Sequence, residues 1–136
     1  MYRLNMVDDG MNIVWVVDDS DACRRLLVVL ARRAGASVRE FTSAESAILS
    51  ASDQPWPAAI LTDFQMSGQS GIELICSLRS KGFAGSIALI TASPDDSIRD
   101  AAQSAGANAV LSKLNMTVAI PWFIEIALRG TGSSAA

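Results

Sequence analysis

Histidine is absent from this chain of 136 residues. That absence excludes imidazole acid–base catalysis, serine–histidine triads, imidazole metal ligands and autophosphorylation on histidine. Cysteine is scarce as well, because the chain has only Cys23 and Cys76. Their spacing is not that of a C-x-x-C metal or redox site, so we interpret both as reduced thiols. The chemistry that remains is that of carboxylates, hydroxyl groups and lysine.

Blocks of basic residues and long apolar runs are also missing. The chain has 11 Lys and Arg against 14 Asp and Glu, a net charge of −3, which argues against binding to nucleic acid phosphates. Its apolar runs are far shorter than the roughly 20 residues of a membrane-spanning helix, and its start lacks the basic region of a signal peptide. We therefore expect a cytoplasmic protein that binds neither nucleic acid nor membrane.

The composition, 50% hydrophobic and 18% charged, is typical of one globular domain with one core. We predict a loose N-terminal segment at residues 1–11, one domain at 12–129 and a flexible tail at 130–136. The acidic pair Asp8 and Asp9 lies in the first of these segments, and we interpret it as solvated.

Strand-like and helix-like segments alternate along the predicted domain. The apolar runs predict five strands, at residues 12–18, 37–41, 58–63, 86–91 and 107–111. Caps, periodic apolar positions and glycine stops predict five helices, at about residues 20–34, 42–52, 71–80, 93–105 and 117–129. Strands joined by helical crossovers are parallel. We therefore predict an α/β fold, a doubly wound, five-stranded parallel sheet of order 2-1-3-4-5 with five helices and flavodoxin-like topology.

Local patterns predict how individual helices begin and which side they bury. Thr42 with Glu45 has the spacing of a capping box, and Ser93 before Pro94 predicts another helix start. In the first helix, helical spacing places one set of residues on a single face: Ala22, Leu26, Val29, Leu30 and Arg33.

Polar residues follow the ends of the predicted strands, at the sheet edge where such folds bind ligands. They are Asp18 and Asp19 after the first strand, Asp63 after the third, Thr91 after the fourth and Lys113 after the fifth. Three neighbouring carboxylates repel one another unless a cation offsets them, and an open oxygen site suits Mg²⁺. A lysine and a hydroxyl group beside the metal could bind a phosphoryl group. Asp63 is the best candidate nucleophile, because it alone ends a central strand before a Gly/Ser loop.

The chain resembles the receiver domains of two-component response regulators, and in particular single-domain, chemotaxis-regulator-like receivers. The resemblance covers residues 12–129. It rests on motifs in the family's order: Asp18-Asp19, Leu61-Thr62-Asp63-Phe64-Gln65-Met66 with Gly71, Thr91-Ala92, and Gly106-Ala107 leading to Leu111-Ser112-Lys113.

This resemblance implies that Asp63 accepts a phosphoryl group from a phosphohistidine on a histidine kinase or histidine phosphotransfer protein. It also implies a Mg²⁺ site formed by Asp19, Asp63 and the backbone carbonyl of Gln65, with Asp18 acting through water.

The resemblance further implies that Thr91, Ala92 and Lys113 bind the phosphoryl group. The protein would then be a conformational switch without an attached output domain. It would not be an enzyme, beyond slow self-catalysed phosphotransfer and dephosphorylation.

The sequence departs from the family at three positions. Ser67 replaces a proline, for which we expect little effect beyond loop stiffness. Leu114 replaces the proline after Lys113, so we predict a trans peptide bond there and a displaced lysine. Val110 replaces a switching aromatic residue, so a signal would have to leave by another route, such as the loop at residues 92–95.

The last predicted helix is apolar on two sides. If one set faces the sheet (Ile120, Ile124, Ala127 and Leu128), helical geometry turns another set toward solvent: Ala119, Trp122, Phe123 and Ile126. An exposed set of this kind favours an interface with a downstream protein or a second copy, although neighbouring loops could also cover it.

Two other functional classes remain open. One is a degenerate receiver that acts as a phosphorylation-independent interaction or dimerisation module, which Val110 and Leu114 favour. The other is a flavin-binding protein of the same topology. It is disfavoured because Asp18, Ser20 and Asp21 follow the first strand, where acids would repel a cofactor phosphate.

Overall fold

The computed structural model describes residues 12–53 and 55–133, the last three of them by backbone only. The interpretations of residues 1–11, including Asp8 and Asp9, and of residues 134–136 lie outside this range.

Within the described residues, five strands alternate with five α-helices, as the sequence predicted. The strands are β1 (Ile13–Val17), β2 (Ser37–Phe41), β3 (Ala59–Asp63), β4 (Ser86–Thr91) and β5 (Ala109–Ser112). The helices are α1 (Asp21–Arg33), α2 (Ala44–Ser50), α3 (Gly71–Ser80), α4 (Asp96–Ala105) and α5 (Met116–Ser133). A 3-10 helix at Lys113–Asn115 leads into α5. In the described part of the chain, no helix is long and apolar enough to cross a membrane.

The strands form one parallel sheet with the order β2-β1-β3-β4-β5, which confirms the predicted topology. Val17 pairs with Phe41 on one side and with Thr62 on the other, so β1 and β3 end at the same edge. In β4, Thr91 pairs with Ser112 of β5. The carboxyl ends of the central strands therefore meet, which places the residues that follow them side by side.

Two hydrophobic layers cover the sheet. Val14 and Val16 of β1 face the layer formed by α1 and α5, and the alternate residues Trp15 and Val17 face α2, α3 and α4. A fully buried Leu or Ile contributes about 1.5–3 kcal/mol to folding, and both layers contain several such side chains. A central strand buried on both faces is a rigid support for the residues at its end.

Two local predictions, the buried face of α1 and the start of β5, are wrong by one or two residues. Helix α1 buries Leu27 and Val28 together with Leu30 and Ala31, whereas Leu26 and Val29 of the predicted face are 39% and 42% exposed. Because residues 26–31 are all apolar, the sequence pattern does not determine which of them face the sheet. Strand β5 begins two residues later than predicted, because Ala107 completes the end of α4 by donating its N–H to the Ala102 carbonyl.

Two helix caps also differ from the prediction. Helix α2 is capped by Ser43, whose hydroxyl accepts the Ser46 N–H, and not by Thr42. Helix α4 is capped by Asp95, whose carboxylate accepts the Ile98 N–H at 3.0 Å, and not by Ser93. In both cases a second good capping residue lies nearby, and backbone geometry selects between them.

Helix α5 departs most from its predicted form. It continues to Ser133, so the tail predicted from Gly130 begins at least four residues too early. Pro121 lies in the second turn, where its missing N–H removes one helical hydrogen bond. Trp122 and Ile126 are exposed as predicted, at 57% and 46%, but Phe123 is only 6% exposed and belongs to the core.

Candidate functional site

The structure brings three carboxylates together at the carboxyl edge of the sheet. Asp18 follows β1 and donates its N–H to the Phe41 carbonyl at 3.1 Å, while Asp63 is the last residue of β3. One carboxylate oxygen from each of Asp18, Asp19 and Asp63 lies within 4.8 Å of the others. Asp18 and Asp63 are buried and Asp19 is exposed. The predicted acidic cluster therefore forms, with the carboxylates of Asp18 and Asp63 buried and that of Asp19 exposed.

Asp18 is the most deeply buried of the three acids. One of its carboxylate oxygens accepts the Ser20 N–H at 2.9 Å, and the other is buried without a hydrogen-bond partner. Burial raises the pKa of Asp18 to about 6; the Ser20 hydrogen bond opposes this shift and the negative charge of Asp63 adds to it. A buried carboxylate oxygen without a partner, beside two other acids, is the arrangement that a hard divalent cation satisfies.

Asp63 is paired with the one lysine of the cluster. The Lys113 Nζ lies 2.9 Å from Asp63 Oδ1. Partial burial lowers the pKa of Lys113, but the hydrogen bond and charge of Asp63 outweigh this effect and leave the pKa above its ordinary value. The ammonium group also lies 3.9 Å from the Cys23 sulfur. Lys113 is therefore charged and aimed at the proposed nucleophile.

The Lys113–Leu114 peptide bond is trans, as predicted, but the expected displacement of Lys113 is wrong. The Leu114 N–H, which a proline would lack, donates to the Ser112 hydroxyl at 3.1 Å. This bond starts the 3-10 helix and lets the chain turn with a trans peptide, while the Leu114 side chain points into solvent at 93% exposure. The turn keeps the lysine in place without proline.

An open cleft of about 350 Å³ adjoins these charges. Asp63, Thr91 and Lys113 line it from three strand ends, and Gln65 and Ala92 lie on the loops beside them. The Thr91 hydroxyl accepts the Ser93 N–H at 3.2 Å, which holds the loop after β4 against the cleft. The cleft is thus lined by Asp19 and Asp63, the Thr91 hydroxyl and the Lys113 ammonium group, all of them predicted site residues.

The loop after Asp63 contains contacts that the sequence analysis missed. Asp19 Oδ2 accepts the Ser67 N–H at 2.9 Å, and the Glu45 carboxylate accepts the Gln69 N–H at 3.1 Å. The spacing of Glu45 from Thr42 predicts a capping box, and this local pattern gives no indication of the contact between Glu45 and Gln69. Only the fold reveals such contacts, because the bonded residues are far apart in sequence.

Gly71 has a steric role that was not recognised from sequence. A Cβ atom at this position would lie 2.2 Å from the Asp63 carbonyl oxygen and 2.7 Å from a Leu89 methyl carbon. The start of α3 therefore packs directly on the backbone of Asp63. The placement of a glycine eight residues after the strand-ending Asp63 was the available signal.

Val110, the atypical switch position, is half-buried in β5 and packs against the layer formed by α2, α3 and α4. Its effect on signalling remains a prediction.

Comparisons with known proteins agree with this geometry. Residues 14–120 match the family described as the response regulator receiver domain. The transcriptional regulatory protein FixJ of Azorhizobium caulinodans is 35% identical over 100 residues, which make up 74% of this chain and 47% of FixJ. The chain thus spans about half the length of this curated relative.

Solved structures show the same likeness. FixJ-N has a TM-score of 0.77 at 28% identity, over 86% of this chain and 93% of that one. A CheY-like response regulator receiver domain protein from Methanospirillum hungatei JF-1 has a TM-score of 0.81 at 16% identity, over 90% of this chain and 98% of that one, which shows the fold alone. With the family match covering most of its length, the chain belongs to the response regulator receiver domains of two-component systems.

Proposed function

We propose that the protein is a Mg²⁺-dependent phosphoryl acceptor whose phosphorylated residue is Asp63. The observation that carries this proposal is the 2.9 Å contact of Lys113 Nζ with Asp63 Oδ1, next to three carboxylates within 4.8 Å of one another. Lys113 and a bound Mg²⁺ would both place positive charge beside the Asp63 carboxylate. This charge would lower the electrostatic repulsion between the carboxylate and an incoming phosphoryl group.

Asp18, Asp19, Asp63 and the Gln65 carbonyl are the groups that would hold Mg²⁺. The residues fit this ion, because they offer hard oxygen ligands in an open cleft that leaves room for water. When bound, Mg²⁺ supplies positive charge to the oxygens of the transferred phosphoryl group. The chain's own contribution is the Lys113 ammonium, the Thr91 hydroxyl and the fixed position of the Asp63 carboxylate.

The proposed donor is a phosphohistidine of a histidine kinase or a histidine phosphotransfer protein, which lies outside these 136 residues because they contain no histidine. An Asp63 oxygen forms the new O–P bond as the donor's N–P bond breaks. The electron pair of the broken bond returns to the donor imidazole, which then takes up a proton from water. The product is an aspartyl phosphate on Asp63.

The decisive experiment is incubation with acetyl phosphate and Mg²⁺, followed by mass spectrometry of the intact protein. We expect the wild type to gain the mass of one phosphoryl group and Asp63→Asn to gain none. Asp100→Asn, which changes an exposed acid on α4, serves as the matched control and should behave as the wild type. Loss of labelling in EDTA would support the metal requirement, and labelling of Asp63→Asn at the wild-type level would refute the assignment.

A phosphorylation-independent module is the second candidate, which Val110 and the substitution at Leu114 favoured. The position of Lys113 weakens the second of these reasons, because the lysine reaches Asp63 without a following proline. A wild-type chain that takes up no phosphoryl group in the same experiment would select this candidate.

We further propose that a second copy of the chain packs against α5. Val118, Trp122 and Ile126 are exposed and spaced by four residues, so they form one ridge along the helix. The ridge is symmetric about Trp122. In an antiparallel pair related by a two-fold axis, Trp122 would meet the partner's Trp122 and Val118 would meet the partner's Ile126.

The charges on α5 are compatible with self-association, because its charged residues are one acid, Glu125, and one base, Arg129. Sedimentation of the wild type should show a dimer that Trp122→Glu converts to a monomer. Leu49→Glu, which changes an exposed leucine on α2, should leave the dimer intact. A wild type that stays monomeric at high concentration would refute this interface without affecting the phosphoacceptor assignment.

A further inference from the structure

We propose that the backbone N–H of Ser67 is a positioning group that holds the Asp19 carboxylate in the metal-binding cluster. The inference rests on the proposed function, since it concerns the same Mg²⁺ site. Its basis is the 2.9 Å hydrogen bond from the Ser67 N–H to Asp19 Oδ2.

This hydrogen bond depends on the residue type at position 67. The receiver domains that the chain resembles usually have proline there, and proline has no backbone N–H to donate. The expectation that Ser67 changes little beyond loop stiffness is therefore incomplete. Serine supplies a donor, and the donor meets a carboxylate of the acidic cluster.

The loop around Ser67 is fixed on both sides, so the direction of its N–H is determined. Phe64, which precedes Ser67, is held by two hydrogen bonds of 2.9 Å: its N–H donates to the Ile90 carbonyl, and its carbonyl accepts the Gly71 N–H. Downstream, the Gln69 N–H donates to Glu45.

Gly68 makes the downstream contact possible. Its φ of +80° suits glycine, and a Cβ atom there would lie 2.8 Å from a Glu45 carboxylate oxygen. The loop thus presents neighbouring N–H groups to two acids, Asp19 and Glu45, that come from different elements.

Asp19 is the member of the cluster that needs such a constraint. Asp18 and Asp63 are buried and held by their surroundings, whereas the Asp19 side chain is exposed and can rotate into solvent. Without a cation, repulsion from the two buried acids favours that rotation. The Ser67 N–H opposes it and keeps the carboxylate within 4.8 Å of its neighbours.

This hydrogen bond does not compete with a metal ion for the carboxylate. An ionised carboxylate has about four lone-pair sites, and one N–H occupies one of them. The bond therefore organises the site before the cation arrives, which lowers the cost of binding. Removing one such hydrogen bond at an exposed carboxylate corresponds to an affinity loss of about fivefold.

The test compares Ser67→Pro, which removes the N–H, with Ser67→Ala, which keeps it. Mg²⁺ titration calorimetry should give Ser67→Ala the wild-type Kd and Ser67→Pro a Kd about fivefold higher. Equal Kd values for all three proteins would overturn the role of Ser67 and leave the metal site intact. A wild type that binds no Mg²⁺ would instead overturn the metal site itself.

A second measurement keeps the proposal testable if Ser67→Pro does not fold. In the metal-free wild type, amide hydrogen exchange at Ser67 should be slow, and Asp19→Ala should accelerate it by about tenfold. The Gln69 amide, which Glu45 holds, should be unaffected and serves as the internal control. An unchanged exchange rate at Ser67 in Asp19→Ala would show that Asp19 does not hold this amide.

Discussion

The two edges of the sheet carry cavities of opposite character. At the carboxyl edge, the cleft of about 350 Å³ is lined by acids, a lysine and a threonine. At the amino edge, a groove of about 240 Å³ lies between the starts of β4 and β5 and helix α5, with Trp122, Phe123 and Ile126 in its wall. One sheet thus offers a charged cavity at one end and an apolar one at the other.

The two regions differ in how they affect the stability of the folded protein. Beneath the cleft, Asp18 has a buried carboxylate oxygen without a partner and a pKa raised to about 6, so its ionised form is unfavourable in the metal-free protein. The groove contains exposed apolar side chains, which affect folding little and are suited to association. Changes in the cleft should therefore alter stability and metal binding, and changes at the groove should alter association alone.

Gly71→Ala should have the largest effect, because it forces a methyl group onto the Asp63 backbone next to the cleft. We expect a loss of about 3 kcal/mol in the free energy of unfolding, measured by urea denaturation. Gly130→Ala is the control, since a Cβ atom there would meet nothing within 4 Å. Equal free energies of unfolding for Gly71→Ala and Gly130→Ala would show that the start of α3 does not pack tightly on the Asp63 backbone.

The pH dependence of stability should report the burial of Asp18. Its pKa rises from 3.8 to about 6 on folding, so the folded state binds more protons than the unfolded state between these values. Stability of the metal-free protein should therefore fall as pH rises from about 4 to 6, by no more than about 3 kcal/mol, and then level off.

The matched variant for this experiment is Asp18→Asn, which cannot ionise. Urea denaturation across this pH range should show a smaller fall for Asp18→Asn than for the wild type. Mg²⁺ should restore much of the wild-type loss above pH 6, because the cation binds the ionised carboxylates. Identical pH profiles for the two proteins would contradict the burial argument.

Lys113→Met should have a smaller effect, because this lysine is partly exposed. Removing the ammonium group leaves the Asp63 carboxylate beside two other acids, and we expect a loss of about 1 kcal/mol without Mg²⁺ at neutral pH. Lys81→Met, at the exposed end of α3, should stay within about 0.5 kcal/mol of the wild type. A similar loss in the free energy of unfolding for Lys113→Met and Lys81→Met would mean that the contact between Lys113 and Asp63 does not stabilise the folded protein.

Trp122→Glu should have the smallest effect on the folded monomer. Its side chain is more than half exposed, so the free energy of unfolding should change by no more than about 0.5 kcal/mol. Its Mg²⁺ affinity, measured by calorimetry, should equal that of the wild type. A change in metal affinity would show that the groove and the cleft are coupled.

The order of the elements and the identity of the acidic cluster could be predicted from the sequence. Apolar runs with punctuating glycines and caps determine where strands and helices alternate, and parallel strands connected by helices leave few possible topologies. Since the carboxyl ends of parallel strands share one edge, the sequence alone predicts that Asp18, Asp63 and Thr91 lie close together.

Choices between similar local alternatives depended on tertiary packing. The phase of α1, the cap of α4 and the burial of Phe123 each involved neighbouring residues of nearly equal propensity, and contacts with the sheet decided among them. The direct contact of Lys113 with Asp63 and the bond from Ser67 to Asp19 likewise could not be predicted from the sequence. Hydrogen bonds between distant residues have no local signal, and they form only when the folded chain brings donor and acceptor within about 3 Å.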